Sequence, residues 1–337
     1  MIKPLQRQLI LEPTDRLFES EAVLNPAVYY ENGLTHLFYR ACAPGNYSSI
    51  GYALLRDDQV LYRSPEPILF PESAAESHGI EDPRIVRLKN QYYLFYTVYD
   101  GTDAQVAYAI ADELPHFKKQ RIISPPFTYG EVADMCSRGE LHNYLCQTSL
   151  RSHHPEEFFW DKDAFIFPEY IHGKLAMIHR LLPEIQLSYF NSFDQLNRKY
   201  WNQYLTEIES HTLMESKFPF ESSYIGGGVP PIRTEAGWLF IYHAVEQGKS
   251  GPVYRAAAAL LDLQIPLAVR GRLPYPLFEP MEEWEKNGVV NNVVFPTGAM
   301  VTGDVLQIFY GAADKRIGRV TFNLPELLNE LTKEEYA

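Results

Sequence analysis

Gly33-Leu34-Thr35-His36-Leu37-Phe38-Tyr39-Arg40 carries the pattern that decides the fold: a turn residue, an apolar run, then a Tyr or His followed by a polar or small residue. The pattern returns at Asn90-Gln91-Tyr92-Tyr93-Leu94-Phe95-Tyr96-Thr97 and at Gly173-Lys174-Leu175-Ala176-Met177-Ile178-His179-Arg180. Two further copies are Gly237-Trp238-Leu239-Phe240-Ile241-Tyr242-His243 and Asp304-Val305-Leu306-Gln307-Ile308-Phe309-Tyr310-Gly311. Anchored on Tyr39, Tyr96, His179, Tyr242 and Tyr310, the copies lie 57, 83, 63 and 68 residues apart. Each follows an extended stretch that begins near a proline: Asn25-Pro26, Asp82-Pro83, Phe167-Pro168, Pro230-Pro231 and Phe295-Pro296. Each precedes another apolar run: Gly51 to Leu55, Val106 to Ala111, Ile185 to Tyr189, Tyr254 to Leu263 and Ile317 to Phe322. Three strands joined by Gly, Asn and Asp turns make most of an antiparallel blade. Five copies predict an all-β fold, a five-bladed β-propeller, since radial repetition leaves only short, protected edges. A β-sandwich with similar hairpins is the competing architecture.

Outside the copies, Phe193 to Leu205 reads as an inserted amphipathic helix, and Leu324 to Leu331 as a short C-terminal helix. No low-complexity stretch or Ser/Gly linker interrupts the 337 residues, so residues 1–337 are expected to form a single domain. The net charge of −13 argues against a nucleic-acid partner. Met1 to Arg7 shows no signal-peptide core, and no apolar run could span a bilayer; the expectation is a cytoplasmic chain with no membrane partner. Cys42, Cys136 and Cys146 are too scattered for a disulfide framework or a zinc site, and reduced thiols are expected. No metal is expected. Aromatic residues reach 14%, with 23 Tyr, which suits both strands and sugar-stacking surfaces.

Inner strands of a propeller line a central channel, so chemistry is sought at their starts. Gly79-Ile80-Glu81-Asp82-Pro83-Arg84 is the sharpest segment: two carboxylates and a guanidinium open an otherwise apolar strand. A carboxylate beside Arg stays ionised, whereas one facing an apolar pocket can donate a proton; a solvated turn with a local ion pair is the bland alternative. Asn25, Arg40, Asp161-Lys162-Asp163, His179-Arg180, His243 and Asp314 occupy equivalent places. Gly226-Gly227-Gly228 lacks the helix of a nucleotide-binding loop and reads as a close approach of backbone to a ligand. His153-His154 reads as solvated surface. No Gly-x-Ser-x-Gly elbow is present.

In their order and spacing these pieces resemble glycoside hydrolase family 130, the mannoside phosphorylases and mannosidases, from Asn25-Pro26 to Asp314. The matching pieces include Gly79 to Arg84, Lys162-Asp163, His179-Arg180, Ile225 to Gly228, Tyr242-His243 and Tyr310-Gly311-Ala312-Ala313-Asp314. The resemblance implies a five-bladed catalytic propeller and an inverting mechanism with Asp82 as general acid, protonating the glycosidic oxygen through a mannose hydroxyl. It implies a mannose subsite of Asn25, Arg40, Glu81, Arg84, Gly228, Tyr254 and Asp314. A nucleophile site of Lys162, His179, Arg180 and His243 would cradle inorganic phosphate, the co-substrate, with no cofactor. A small oligosaccharide is the implied partner, and inserted helices leave a homo-oligomer open. The expected reaction is phosphorolysis of a β-mannoside to α-mannose 1-phosphate.

One departure cuts the other way. Tyr224 stands where many family phosphorylases carry a lysine, and Asp161 where an uncharged polar residue is common. Such changes weaken anion binding by on the order of a few kcal/mol. They suit an inverting β-mannosidase, in which Asp161 or Glu221 would activate water across the sugar. Arabinan- and fructan-cleaving propellers would need an Asp where this chain has Asn25. A non-catalytic sugar-binding propeller remains as the third reading.

Overall fold

A computed structural model describes residues 2–135, 153–249 and 251–333. Its strands fall into five antiparallel groups in chain order. The N-terminal strand β1 (Gln6–Leu11) stands apart in sequence and is taken up last. The first group is β2 (Ala22–Glu31), β3 (Leu34–Ala43), β4 (Tyr47–Arg56) and β5 (Gln59–Arg63). The second is β6 (Gly79–Leu88), β7 (Gln91–Tyr99), β8 (Ala104–Ala111) and β9 (Lys118–Ile122). A single parallel bridge, Ser48 to Gly79, joins these two groups. The third is β10 (Lys162–Ile166), β11 (Leu175–Arg180), β12 (Ile185–Phe190) and β13 (Thr212–Met214).

In the fourth group the first strand is broken into β14 (Tyr224–Gly227) and β15 (Ile232–Arg233), both paired to β16 (Trp238–Gly248). β17 (Gly251–Leu261) and β18 (Val269–Arg272) follow. Pro230-Pro231 lies in the break, as residues without a backbone donor must. The fifth group is β19 (Val294–Thr302), β20 (Val305–Ala312) and β21 (Arg316–Asn323), and β1 adds to β21 as its fourth strand. The architecture is therefore all-β, and each expected copy is the second strand of its group. The N-terminal closure was not foreseen. Nor was the third group's register: β10 starts at Lys162, so Phe167-Pro168 lies beyond it and Asp163-Ala164 takes the place of Asn25-Pro26 and Asp82-Pro83.

The helix expected from Phe193 begins as one 3-10 turn, Phe193–Gln195. The α-helix runs Arg198–Thr206 because the Asn197 side chain accepts hydrogen bonds from Lys199 N and Tyr200 N. The C-terminal helix spans Leu324–Leu331, as expected. No described helix is long and apolar enough to cross a membrane. Cys42 is a free, buried thiol; Cys136 and Cys146 lie outside the described residues.

The recurring anchor has a structural cause. Tyr39 donates its hydroxyl to Glu19 Oε2 at 2.7 Å, Tyr242 to Glu221 Oε1 at 2.7 Å, and Tyr310 to Glu285 Oε1 at 2.5 Å. Each glutamate lies in a short helical turn ahead of its group and takes a cation from the group's outermost strand. These cations are Arg63, Arg272 and Arg7, with Nη to Oε distances of 2.8, 2.8 and 2.7 Å. In the second group Lys119 Nζ bonds Glu76 at 3.0 Å, near Tyr96. The third group replaces the device: His179 faces Asp161 and Tyr204 instead.

Removing one member of such a buried tie strands its partners, at about 3 kcal/mol. Glu285→Ala is therefore expected to lower unfolding free energy by about that amount in urea titrations, whereas Glu283→Ala, on exposed helix surface, should stay within about 0.5 kcal/mol of wild type.

Candidate active site

Directly opposite the anchors, the inner strands bulge. Leu24 pairs with Arg40 and Ala27 with Phe38, so Asn25-Pro26 together face Tyr39. Asp82-Pro83 face Tyr96 in the same way, and Asp163-Ala164 face His179. The first residue of each bulge sits in the left-handed region, with φ of 47°, 50° and 55° for Asn25, Asp82 and Asp163. Asn and Asp tolerate that conformation better than other side-chain-bearing residues, and a bulge re-aims the side chain it carries. The sequence type and the strand distortion are thus one fact.

The bulges bring together the residues expected from the sequence. Asn25 Nδ2 donates to Asp82 Oδ1 at 2.8 Å, linking the first group to the second. Arg40 Nη2 donates to Glu81 Oε1 at 2.6 Å, and its Nη1 lies 3.5 Å from Asp82 Oδ1. Lys162 Nζ is 3.7 Å from Glu81 Oε2. Burial pushes the Asp314 carboxyl up to about 6, with Arg40 opposing and Asp82 and Glu81 reinforcing the shift. A cavity of about 360 Å³ opens here, with Leu24, Arg40, Asn46 and Asp314 in its wall. A larger one of about 480 Å³ lies further along the inner strands, among Val28, Ile85 and Ile232, away from these charges.

A second cluster adjoins the first. Asp163, named in the sequence only among the residues opening the third repeat and given no role there, accepts from Arg180 Nε at 2.5 Å, and its other oxygen lies 3.6 Å from Arg84 Nη2. Burial alone would raise its carboxyl, but the Arg180 and Arg84 guanidiniums beside it bring it below the usual carboxylate range. Arg84 also donates Nε to Gly228 O at 2.6 Å and Nη1 to Asp82 O at 2.7 Å, so it ties three groups together. Arg180 stacks over Tyr224, whose hydroxyl shares a 2.8 Å hydrogen bond with that of Tyr254. Tyr254 thus stands at this cluster rather than apart from it. Arg84 Nη2 and both ring nitrogens of His243 are buried without a hydrogen-bond partner. Repeat register would have revealed Asp163: it is the third copy's Asp82, hidden because Ala164 stands where a proline was used as the marker.

Four sequence-derived roles are corrected. Glu221 is fully buried, and its carboxylate is used up by Tyr242, Arg272 and the backbone N–H groups of Lys217 and Phe218. Asp161 is fully buried against His179. Glu221 has no oxygen left to hold a water against a sugar, and Asp161 is buried away from solvent with its Oδ2 unpartnered. His179 spends both ring nitrogens on Asp161 and Tyr204 and cannot cradle phosphate. Gly226 and Gly228 are small for the protein's own sake: a Cβ at Gly226 would lie 2.3 Å from the His243 ring, and one at Gly228 2.7 Å from Ile241 O. Of the two surface histidines, His154 is exposed, while His153 stacks on Tyr129 at 4.4 Å and bonds Glu157.

His243 is no cation at neutral pH, because burial pulls it down to about 3. The unfolded chain takes up that proton near pH 6.5 and the folded chain does not, so stability is lost as pH falls from 6.5 towards 3. Between pH 7 and 5 wild type should lose about 2 kcal/mol more unfolding free energy than His243→Gln, read from paired denaturant titrations.

A family model described as beta-1,4-mannooligosaccharide phosphorylase matches residues 10–334 of the chain. A beta-1,2-mannobiose phosphorylase from a Thermoanaerobacter strain is 35% identical over 332 residues, covering 93% of this chain and 94% of that protein. A 1,2-beta-oligomannan phosphorylase from the same source is 32% identical, with 97% and 98% covered. Among solved structures, the Listeria innocua beta-1,2-mannobiose phosphorylase in complex with beta-1,2-mannobiose superposes with a TM-score of 0.70 at 22% identity, covering 98% of this chain and 95% of that one.

Proposed function

The chain belongs to glycoside hydrolase family 130, and on that premise we propose that it is an inverting β-mannoside phosphorylase acting on short β-1,2-linked manno-oligosaccharides. The finer architecture belongs to the same proposal: the five sheet groups are five propeller blades, with β1 closing the last, and the bulges at their inner strands ring one end of the channel. Asp82 is the general acid, positioned by Asn25 and Arg40. Asn25, Arg40, Glu81 and Asp314 hold the mannose whose anomeric carbon reacts. Arg180, with Arg84, Tyr224, Tyr254 and neutral His243 around it, receives inorganic phosphate on the opposite face.

In the proposed reaction a phosphate oxygen forms a bond to the anomeric carbon as the bond to the glycosidic oxygen breaks. The departing oxygen takes a proton from Asp82, directly or through a mannose hydroxyl, and the β-linkage becomes an α-phosphate. No protein base is needed, because phosphate arrives as its own nucleophile. The observation that carries this reading is the paired character of the site. An acid with a mixed polar surround adjoins two buried guanidiniums and unpartnered buried donors. Buried donors without partners are costly and are satisfied by an incoming anion. Of the two carboxylates that could have activated water instead, Glu221 is locked in structural contacts and Asp161 is fully buried against His179. The curated full-length relatives are phosphorylases of β-1,2-mannosides, which supports the linkage.

Incubating the protein with β-1,2- and β-1,4-mannobiose, with and without phosphate, tests the reading. Mannose 1-phosphate released from the β-1,2 substrate only when phosphate is present is the expected result. Free mannose formed at a phosphate-independent rate would overturn it. Asp82→Asn should lower kcat by roughly 10²–10⁴ while leaving the circular dichroism spectrum unchanged. Arg180→Ala should raise the KM for phosphate at least about tenfold more than that for mannobiose, as expected when a charge-assisted contact to one substrate is lost.

A further inference from the structure

At the rim of the site, four aromatic rings run side by side from the first sheet group to the third. Tyr47 stacks on His78 with centroids 5.0 Å apart, His78 meets Tyr99 at 5.8 Å, and Tyr99 meets Trp160 at 6.3 Å. The row is built into the backbone. Ser48 N donates to His78 O at 3.2 Å, and Gly79 holds φ at 143°. A Cβ on Gly79 would lie 2.6 Å from Ser48 N, so only glycine lets His78 come up beside Tyr47. At the far end Lys162 Nζ sits 4.9 Å over Trp160 and 3.7 Å from Glu81.

Tyr47 is the ring left open: it is 50% exposed although its neighbour His78 covers one face. An exposed, pre-stacked ring bordered by polar groups binds the apolar face of a hexose while the border takes the hydroxyls. Asn46, beside Tyr47, already points its side-chain oxygen at Arg40 Nη2, 3.3 Å away, so the row is continuous with the cluster around Asp82. The guanidiniums of the anion cluster converge instead on Asp163, deeper between the second, third and fourth groups.

We propose that Tyr47, backed by His78 and extended by Tyr99 and Trp160, is a stacking platform for the mannose residues beyond the first on the leaving-group side of the cleaved bond, and that it sets chain-length preference. The proposal rests on the β-mannoside reading for the identity of its ligand. A disaccharide places one ring beyond the cleaved bond and touches the platform little. Longer chains must lie along it.

The test is phosphorolysis of β-1,2-mannobiose, -triose and -tetraose by wild type, Tyr47→Phe and Tyr47→Ala. Tyr47→Ala should raise KM for the triose and tetraose about tenfold, the scale of one lost aromatic stack, with mannobiose kinetics and all kcat values unchanged. Tyr47→Phe keeps the ring and should behave as wild type. A uniform loss across all three lengths, or no change in any, would overturn the platform. Were wild type to turn over no mannoside, the activity reading would fall by itself; calorimetric titration of mannotetraose into wild type and Tyr47→Ala would still judge the platform, and equal affinities would overturn it.

Discussion

The site depends on a tie that never touches it. In four of the five groups an aromatic hydroxyl or an imidazole on the second strand is fastened to a buried carboxylate: Tyr39 to Glu19, Tyr242 to Glu221, Tyr310 to Glu285, and His179 to Asp161. The bulges at Asn25 and Asp163 form directly in front of two of these anchors, Tyr39 and His179, and the bulge at Asp82 forms in front of Tyr96, beside the Glu76–Lys119 pair. A left-handed Asp or Asn costs about 1–3 kcal/mol and persists only where its surroundings over-determine it. With the second strand pinned from behind, the extra residue can only project forward. Catalytic geometry here is thus a by-product of how each sheet group is strapped together.

Charge organises what the bulges aim. Four cations (Arg40, Arg84, Lys162 and Arg180) and four acids (Glu81, Asp82, Asp163 and Asp314) share the site, but they are not evenly mixed. Asp163 draws Arg84 and Arg180 to one side, while Glu81 and Asp82 draw Arg40 to the other. The first arrangement gathers two buried guanidiniums and leaves Arg84 Nη2 without a hydrogen-bond partner. The second surrounds an acid with groups that also suit vicinal hydroxyls. In the guanidinium cluster the Tyr224 ring supports Arg180, and its hydroxyl joins that of Tyr254.

Much of this was legible in the sequence. The five anchors mark real second strands, and Asp82, Arg40, Arg84 and Arg180 meet as their repeat positions imply. The misses share one physical origin: residue type alone does not say which way a side chain faces. Glu221, His179 and Asp161 belong to the straps behind the strands, not the cavity in front, and a strand places neighbours on opposite faces. The equivalence of Asp163 to Asp82 was missed because proline served as the register mark, and a bulge needs only its first residue to be special. The glycine run misled in the same manner, since its missing side chains make room for His243 and main-chain oxygens rather than for a ligand.

The strand that completes the fifth group comes from the opposite end of the chain, and Arg7 reaches Glu285 across 278 positions of sequence. Four groups draw all their strands from neighbouring sequence and can close as they leave the ribosome. The fifth has to wait until β21 has been synthesised, while β1 stays unpaired. An exposed edge held open for most of translation invites pairing with the wrong chain. The charged and amide side chains of Gln6, Arg7 and Gln8 oppose such mispairing in the first half of that strand, whereas Leu9-Ile10-Leu11 leave its second half apolar until β21 arrives.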